Sequence, residues 1–196
     1  MKKIGVFGSS FNPIHIGHLI ISEQARIRLC LDKILFIPTA NPYHKKVDLL
    51  DYNIRYEMTE RTVEDNPFFK VSDIEKHLKT ASYSFDIMKK LKSKIDAEIY
   101  FIIGSDSFIN LHTWHRYEEL IKIVNLVVFQ RPGYKINLEL IEKYRFLTKK
   151  QIIFYDDIQL FISSSDIRNN IKNNIYPKYL LRDETIKYIM ENNLWR

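Results

Sequence analysis

Two histidines near the N-terminus, His15 and His18, stand three residues apart across Gly17. Residues at i and i+3 share a helix face, so a helix starting here turns both imidazoles toward one spot. The flanking residues say what that spot binds. An apolar run, Ile4-Gly5-Val6-Phe7, leads into Gly8-Ser9-Ser10, whose small side chains let backbone N–H groups approach a ligand closely. After Pro13 and the histidines, Leu19 to Ile27 reads as a helix. Strand, small-residue turn and helix N-terminus together bind phosphate, because unpaired N–H groups and the positive end of the dipole meet there. Imidazoles at this place hydrogen-bond a phosphate and, when protonated, add positive charge where negative charge builds up in a transition state. A lone histidine at a helix start is more often surface or cap decoration; the pair in this setting reverses that reading. His112 and His115 repeat the same spacing, and four imidazoles suit zinc. Nothing else around Leu111 to His115 forms a ligand frame, so no metal site is expected.

The elements that position these residues follow from the apolar pattern. Strand-like runs over 3–7, 33–37, 69–72, 98–103, 126–130 and 152–155 alternate with helix-like ones over 17–28, 52–64, 84–92, 116–123, 138–146, 165–173 and 184–191. That alternation predicts an α/β fold, a Rossmann-like, doubly wound, mostly parallel sheet with helices on both faces. Ile99 to Ile103 and Leu126 to Phe129 are unbroken apolar runs, as strands buried on both faces require. No repeat or long linker divides the chain, so residues 1–196 are expected to form one domain. Ligands in such sheets bind at the carboxyl ends of strands, where the strand order reverses. Two strands end alike, Phe7 into Gly8-Ser9-Ser10 and Ile103 into Gly104-Ser105-Asp106-Ser107; as neighbours they would flank one crevice. Residues 41–51 form the longest expected loop, a usual place for binding residues.

The net charge of +6 favours anionic partners. The lysines are scattered, with no basic block interleaved with aromatics, which argues against nucleic acid and reads most of the excess as a solvated lysine-rich surface. No apolar run reaches the roughly 20 residues of a membrane span, and no membrane partner is expected. A single cysteine, Cys30, cannot make an internal disulfide; with no secretory signal in the first residues, a cytoplasmic location is expected.

Gly8-Ser9-Ser10-Phe11-Asn12-Pro13-Ile14-His15-Ile16-Gly17-His18 resembles the HxGH signature of the nucleotidylyltransferase superfamily, and the rest of the chain resembles its bacterial nicotinate-nucleotide adenylyltransferase branch. That branch usually writes GGxFDPIHxGH; here Ser9 replaces the second glycine and Asn12 the aspartate, and both histidines stay. Ile162-Ser163-Ser164-Ser165-Asp166-Ile167-Arg168 resembles its ISSTxIR motif, and also reads as a capping-box-like helix start. Ala81-Ser82-Tyr83-Ser84-Phe85-Asp86 resembles SYTxDT, Pro42-Tyr43-His44-Lys45 a proline-proline-His-Lys run, and Arg131-Pro132-Gly133-Tyr134 an RPGY turn.

The resemblance implies an adenylyltransferase that joins ATP, carrying Mg²⁺, to nicotinate mononucleotide, giving deamido-NAD and pyrophosphate. It implies His15 and His18 as catalytic groups. ATP would be held by Gly8, Ser9, Ser10, Phe11, His15, His18, Lys45, Gly104, Asp106, Ile162, Ser163, Ser164 and Arg168. The acceptor would be held by Ser10, Tyr83, Ser84, Trp114 and Arg131, with the Trp114 indole stacked on the pyridine ring and N–H groups near Ser84 on the carboxylate. Several of these have plain structural readings too. Ser82 or Ser84 can cap a helix, Asp106 can cap the short helix after it, Trp114 can be core, and Arg131 can form an ion pair. Arg55 and Met58 fit ordinary surface and core positions equally well. The rival functions are a sister transferase acting on nicotinamide mononucleotide, phosphopantetheine or flavin mononucleotide, and a basic RNA-binding or nucleotide-sensing domain. A homo-oligomer is compatible with all of these.

Overall fold

The computed structural model describes residues 1–42, 48–77 and 81–195. Six strands form one sheet: β1 (Lys2–Ser9), β2 (Lys33–Pro38), β3 (Phe69–Val71), β4 (Ala97–Gly104), β5 (Asn125–Phe129) and β6 (Ile152–Tyr155). Their order is β3-β2-β1-β4-β5-β6, with every pairing parallel. The sheet is thus wholly rather than mostly parallel. The chain starts in the middle, winds out one way through β2 and β3, then returns to the other side of β1 as β4. The order reverses between β1 and β4, which places the crevice of a doubly wound sheet at their carboxyl ends.

Alternation along the strands builds two cores. Val6, Ile99, Phe101, Ile103, Leu126 and Val128 pack on one face, and Phe7, Tyr100, Ile102, Val127 and Phe129 on the other. The helices that cover them are α1 (Ile16–Leu29), α2 (Tyr52–Val63), α3 (Ser84–Lys94), α4 (Ser105–Ile109), α5 (Tyr117–Ile123), α6 (Leu138–Phe146), α7 (Ser164–Lys172) and α8 (Asp183–Glu191). Met58 of α2, Ile167 and Ile171 of α7, and Ile186 and Ile189 of α8 make a third cluster. It fastens the last helices to the first half of the chain. Among the described residues, no helix is long and apolar enough to cross a membrane.

Candidate active site

The carboxyl ends of β1 and β4 open into a cleft of about 210 Å³. Phe7, Gly8 and Ser9 line it from β1, and Ile102, Ile103 and Gly104 from β4. His15, Gly17, His18, Asp106, Trp114, Arg131 and Ile162 complete the expected part of the wall. Ser107, Gln130, Ile158 and Leu160 also line it and were not anticipated. For the last two the signal was present: Ile158, Leu160 and Ile162 recur at period two, so an extended segment shows all three to one side.

The imidazole pair sits at the head of α1. His15 is the extended residue before the helix, and its ring stacks on His18 with centroids 3.7 Å apart and planes 26° apart. The His15 backbone N–H donates to His18 Nδ1 at 3.1 Å. An Nδ1 that accepts leaves the proton of the neutral ring on Nε2. Phe7 and Phe11 contact the His18 ring at 5.5 and 5.2 Å and fix its orientation. A Cβ at Gly17 would meet the His15 ring at 3.1 Å, so the glycine between the histidines is what allows the stack.

Burial pulls the His15 imidazole down from 6.5 to about 4, and the charge of Arg131 acts in the same direction. His15 is therefore neutral at pH 7 and not the cation that the spacing allowed. Its Nδ1 is buried with no hydrogen-bond partner among the described residues. Between pH 6.5 and about 4 the unfolded chain binds a proton at this residue that the folded chain does not. Its contribution to stability is thus full above pH 6.5 and lost as the pH falls toward 4. The shift corresponds to roughly 3 kcal/mol. In urea unfolding at pH 7 and at pH 4, His15→Gln is expected to lose about 3 kcal/mol less than the wild type. Parallel losses would show that His15 is not held neutral by burial.

Gly104 and Arg131 close the other wall. Arg131 Nη1 lies 3.0 Å from Asp106 Oδ2, and the Arg131 N–H donates to Ser105 Oγ at 2.8 Å. Asp106 therefore pairs with Arg131, and no side chain caps α4. A Cβ at Gly104 would collide with the Asp106 carboxylate and lie 2.9 Å from Arg131 Cδ. Trp114 meets Phe101 edge-on at 6.2 Å while lining the cleft, so it is both core margin and cleft wall.

The two ends of the chain meet beside the histidines. Arg168 Nη1 donates to the Asn12 carbonyl at 2.9 Å, and Ser164 Oγ to the Pro13 carbonyl at 2.9 Å. Ser163 caps α7, its Oγ accepting from the Asp166 N–H at 3.1 Å and donating to the Asp166 carboxylate at 2.7 Å. Ile162 lines the cleft, whereas Ser163, Ser164 and Arg168 do not; Ser164 and Arg168 brace residues 13 and 12. Arg168 Nε is buried with no hydrogen-bond partner among the described residues. The Asn12 side chain donates to the Asp48 carbonyl at 2.8 Å and accepts from the Leu50 N–H at 3.2 Å. The first of those bonds needs an amide, which gives the asparagine a physical reason.

Ser10 and Phe11 are buried; the Phe11 ring belongs to the core beneath His18. Ser10 presents its carbonyl to Arg55. Tyr83 precedes α3 and meets the His115 ring at 4.4 Å. Tyr83 stands at the N-cap of α3 and makes no side-chain cap hydrogen bond, so neither Ser82 nor Ser84 holds the capping position. Tyr83 and Ser84 do not line the cleft described above. Lys45 and its neighbour His44 lie outside the described residues. Among the described residues, no group of three or more His, Cys, Asp or Glu could hold a metal ion.

A family model for cytidylyltransferase-like proteins matches residues 6–170. A Clostridium perfringens (strain SM101 / Type A) protein named "Probable nicotinate-nucleotide adenylyltransferase" is 38% identical over 200 residues, spanning 100% of this chain and 99% of its own. A Clostridium novyi (strain NT) protein of the same name is 39% identical over 200 residues and aligns over 100% of both chains. The solved structure of a Plasmodium falciparum nicotinic acid mononucleotide adenylyltransferase complexed with NaAD superposes with a TM-score of 0.82 at 22% identity, over 100% of this chain and 98% of that one. At that identity the likeness is one of fold. The family match over most of the chain and the end-to-end relatives agree with the crevice at β1 and β4: the chain belongs to the cytidylyltransferase-like family and, within it, to the nicotinate-nucleotide adenylyltransferases.

Proposed function

We propose that this chain joins ATP to nicotinate mononucleotide, giving deamido-NAD and pyrophosphate, with residues 1–196 acting as one catalytic domain. The observation that carries the reading is the stacked His15–His18 pair at the head of α1, set in the crevice where the strand order reverses. The 5′-phosphate oxygen of the mononucleotide attacks the α-phosphorus of ATP in line. The bond to the bridging oxygen breaks on the opposite side, and pyrophosphate leaves with that electron pair. The attacking phosphate is ionised at pH 7, so no general base is needed and no side chain is modified. Positioning and charge stabilisation do the rest.

In this reading His18 donates from Nε2 to an α-phosphate oxygen, and His15 bonds a neighbouring phosphate oxygen. Gly8, Ser9, Ser10 and Phe11 supply the backbone turn over which the phosphates pass. Lys45, Ser163, Ser164 and Arg168 serve the β and γ groups. Ile162 flanks the base, and Gly104 and Asp106 meet the ribose. Asp106 must then release Arg131, which becomes available to the acceptor's phosphate. Ser10, Tyr83, Ser84, Trp114 and Arg131 serve the acceptor, its carboxylate resting on the first turn of α3. Mg²⁺ enters as part of the ATP substrate. The reaction uses soluble metabolites, which fits a cytoplasmic enzyme.

Pyrophosphate release from ATP, measured side by side with nicotinate mononucleotide, nicotinamide mononucleotide and phosphopantetheine, tests this. The expected result is a kcat/KM at least about tenfold higher for the nicotinate substrate, the scale of one well-placed charged contact. Equal or faster turnover with either other acceptor would overturn the assignment.

A further inference from the structure

Between the turn at Ser10 and the segment at Ser82 the interior holds two charged residues that the chemistry above does not use. Arg55 is 1% exposed and Glu75 is 5% exposed. Arg55 lies on α2 in phase with the buried Met58, Thr59 and Thr62. Its Nη1 donates to the Ser10 carbonyl at 2.7 Å and its Nε to the Leu50 carbonyl at 2.8 Å. Glu75, shortly after β3, accepts from the Ala40 N–H at 2.8 Å. Ser82 Oγ accepts from the Asn41 N–H at 3.2 Å, and the Ser82 N–H donates to the Asn41 carbonyl at 3.4 Å.

The charges of Arg55 and Glu75 also act on each other across the interior. Burial pushes the Glu75 carboxyl up, and the Ser82 hydroxyl, the bond from the Ala40 N–H and the charge of Arg55 oppose that push. Ions are costly to bury without such partners. Two hydrogen-bonded groups thus face each other through charge alone: Arg55 on the Ser10 and Leu50 carbonyls, and Glu75 on Ala40, next to the bonded Asn41 and Ser82. The first reaches the nucleotide turn after β1. The second ends two residues before α3, where the acceptor's carboxylate is placed.

We infer that Glu75 is a positioning residue for the acceptor: its carboxylate holds the Ala40 N–H and so keeps the bonded Asn41 and Ser82, and with them the acceptor segment before α3, at a fixed distance from the end of β2. The inference rests on the adenylyltransferase reading and names a residue for its acceptor half. In-line transfer is sensitive to such spacing, because the attacking oxygen must lie close to the α-phosphorus and opposite the leaving group. Glutamine at position 75 keeps the size and one acceptor but removes the charge that faces Arg55. Aspartate keeps the charge and falls one methylene short.

Steady-state kinetics with both substrates on the wild type, Glu75→Gln and Glu75→Asp, together with amide hydrogen exchange over residues 39–42 and 81–84, test this. Glu75→Gln is expected to raise the KM for nicotinate mononucleotide about tenfold, to leave the KM for ATP within about twofold, and to speed exchange in both segments. Glu75→Asp recovers part of the loss. Should Glu75→Gln fail to fold, Ser82→Ala, at a half-buried position outside the core, moves the acceptor KM the same way by a few-fold. Equal changes in the two KM values, a lowered melting temperature with both KM values unchanged, or unaltered exchange would overturn the inference. If the wild type releases no pyrophosphate, the functional reading fails instead, and the exchange result alone decides whether Glu75 holds these segments.

Discussion

His18→Ala is expected to lower kcat about 10²- to 10³-fold, the range measured when one preorganised donor to a developing oxyanion is removed. Three features make the effect fall on turnover more than on binding. The His18 ring is held on three sides, by the His15 stack at 3.7 Å and by Phe7 and Phe11 at 5.5 and 5.2 Å. Its Nδ1 accepts the His15 N–H, which fixes the tautomer that donates from Nε2. A donor that needs no reorganisation gains most when charge on the phosphate oxygen peaks, which is in the transition state. The KM for ATP should therefore change less than about fivefold while kcat collapses. Because ring contacts are lost as well, a melting-temperature scan belongs beside the kinetics. His18→Asn, whose amide can donate from nearly the same place, should recover part of kcat. Near-normal turnover by His18→Ala would remove this residue from the mechanism.

The fold was legible because its strands carry an unambiguous pattern. Ile99 to Ile103 and Leu126 to Phe129 are apolar at every position, which only strands covered on both faces tolerate, and both are buried throughout. The turns after β1 and β4 were legible as paired small-residue turns, and they do flank one crevice. The direction of hydroxyl and guanidinium groups was not. Ser163, Ser164 and Arg168 have the types that bind phosphate, yet in the free protein they bond Asp166, Pro13 and Asn12. A serine serves equally well as cap, brace or ligand, and only the facing backbone decides between them. Arg55 shows the same limit. It fitted a surface position, but the Ser10 and Leu50 carbonyls, distant from each other in sequence, hold it inside. Its one signal was its phase with Met58, Thr59 and Thr62 on the buried face of α2. The neutrality of His15 depends on burial and on Arg131, more than a hundred positions away, so spacing alone did not carry it.

Arg168→Ala is expected to lower kcat/KM for ATP about 10²-fold or more, and Arg168→Lys to recover less than about tenfold of that. The residue does two things at once. As a brace, it donates from Nη1 to the Asn12 carbonyl, three residues before His15, and from Nη2 to Ser165 Oγ at 3.3 Å. As a cation near the crevice, it keeps Nε buried and without a hydrogen-bond partner among the described residues, a condition that costs about 1–3 kcal/mol. Truncation removes the positive charge and leaves the Asn12 carbonyl without its guanidinium donor, so the turn carrying His15 and His18 loosens at its start. Lysine restores a point charge but cannot reach Asn12 and a phosphate together, because its donors radiate from one atom. The ratio between the two variants therefore separates brace from charge. Full rescue by lysine would mean that the charge alone matters and that α7 does not fix the histidine turn. Stability is expected to fall by only about 1–2 kcal/mol in Arg168→Ala, since Ile167 and Ile171 keep α7 anchored through the third hydrophobic cluster. A larger loss in thermal or urea unfolding would assign the kinetic defect to unfolding rather than to the site.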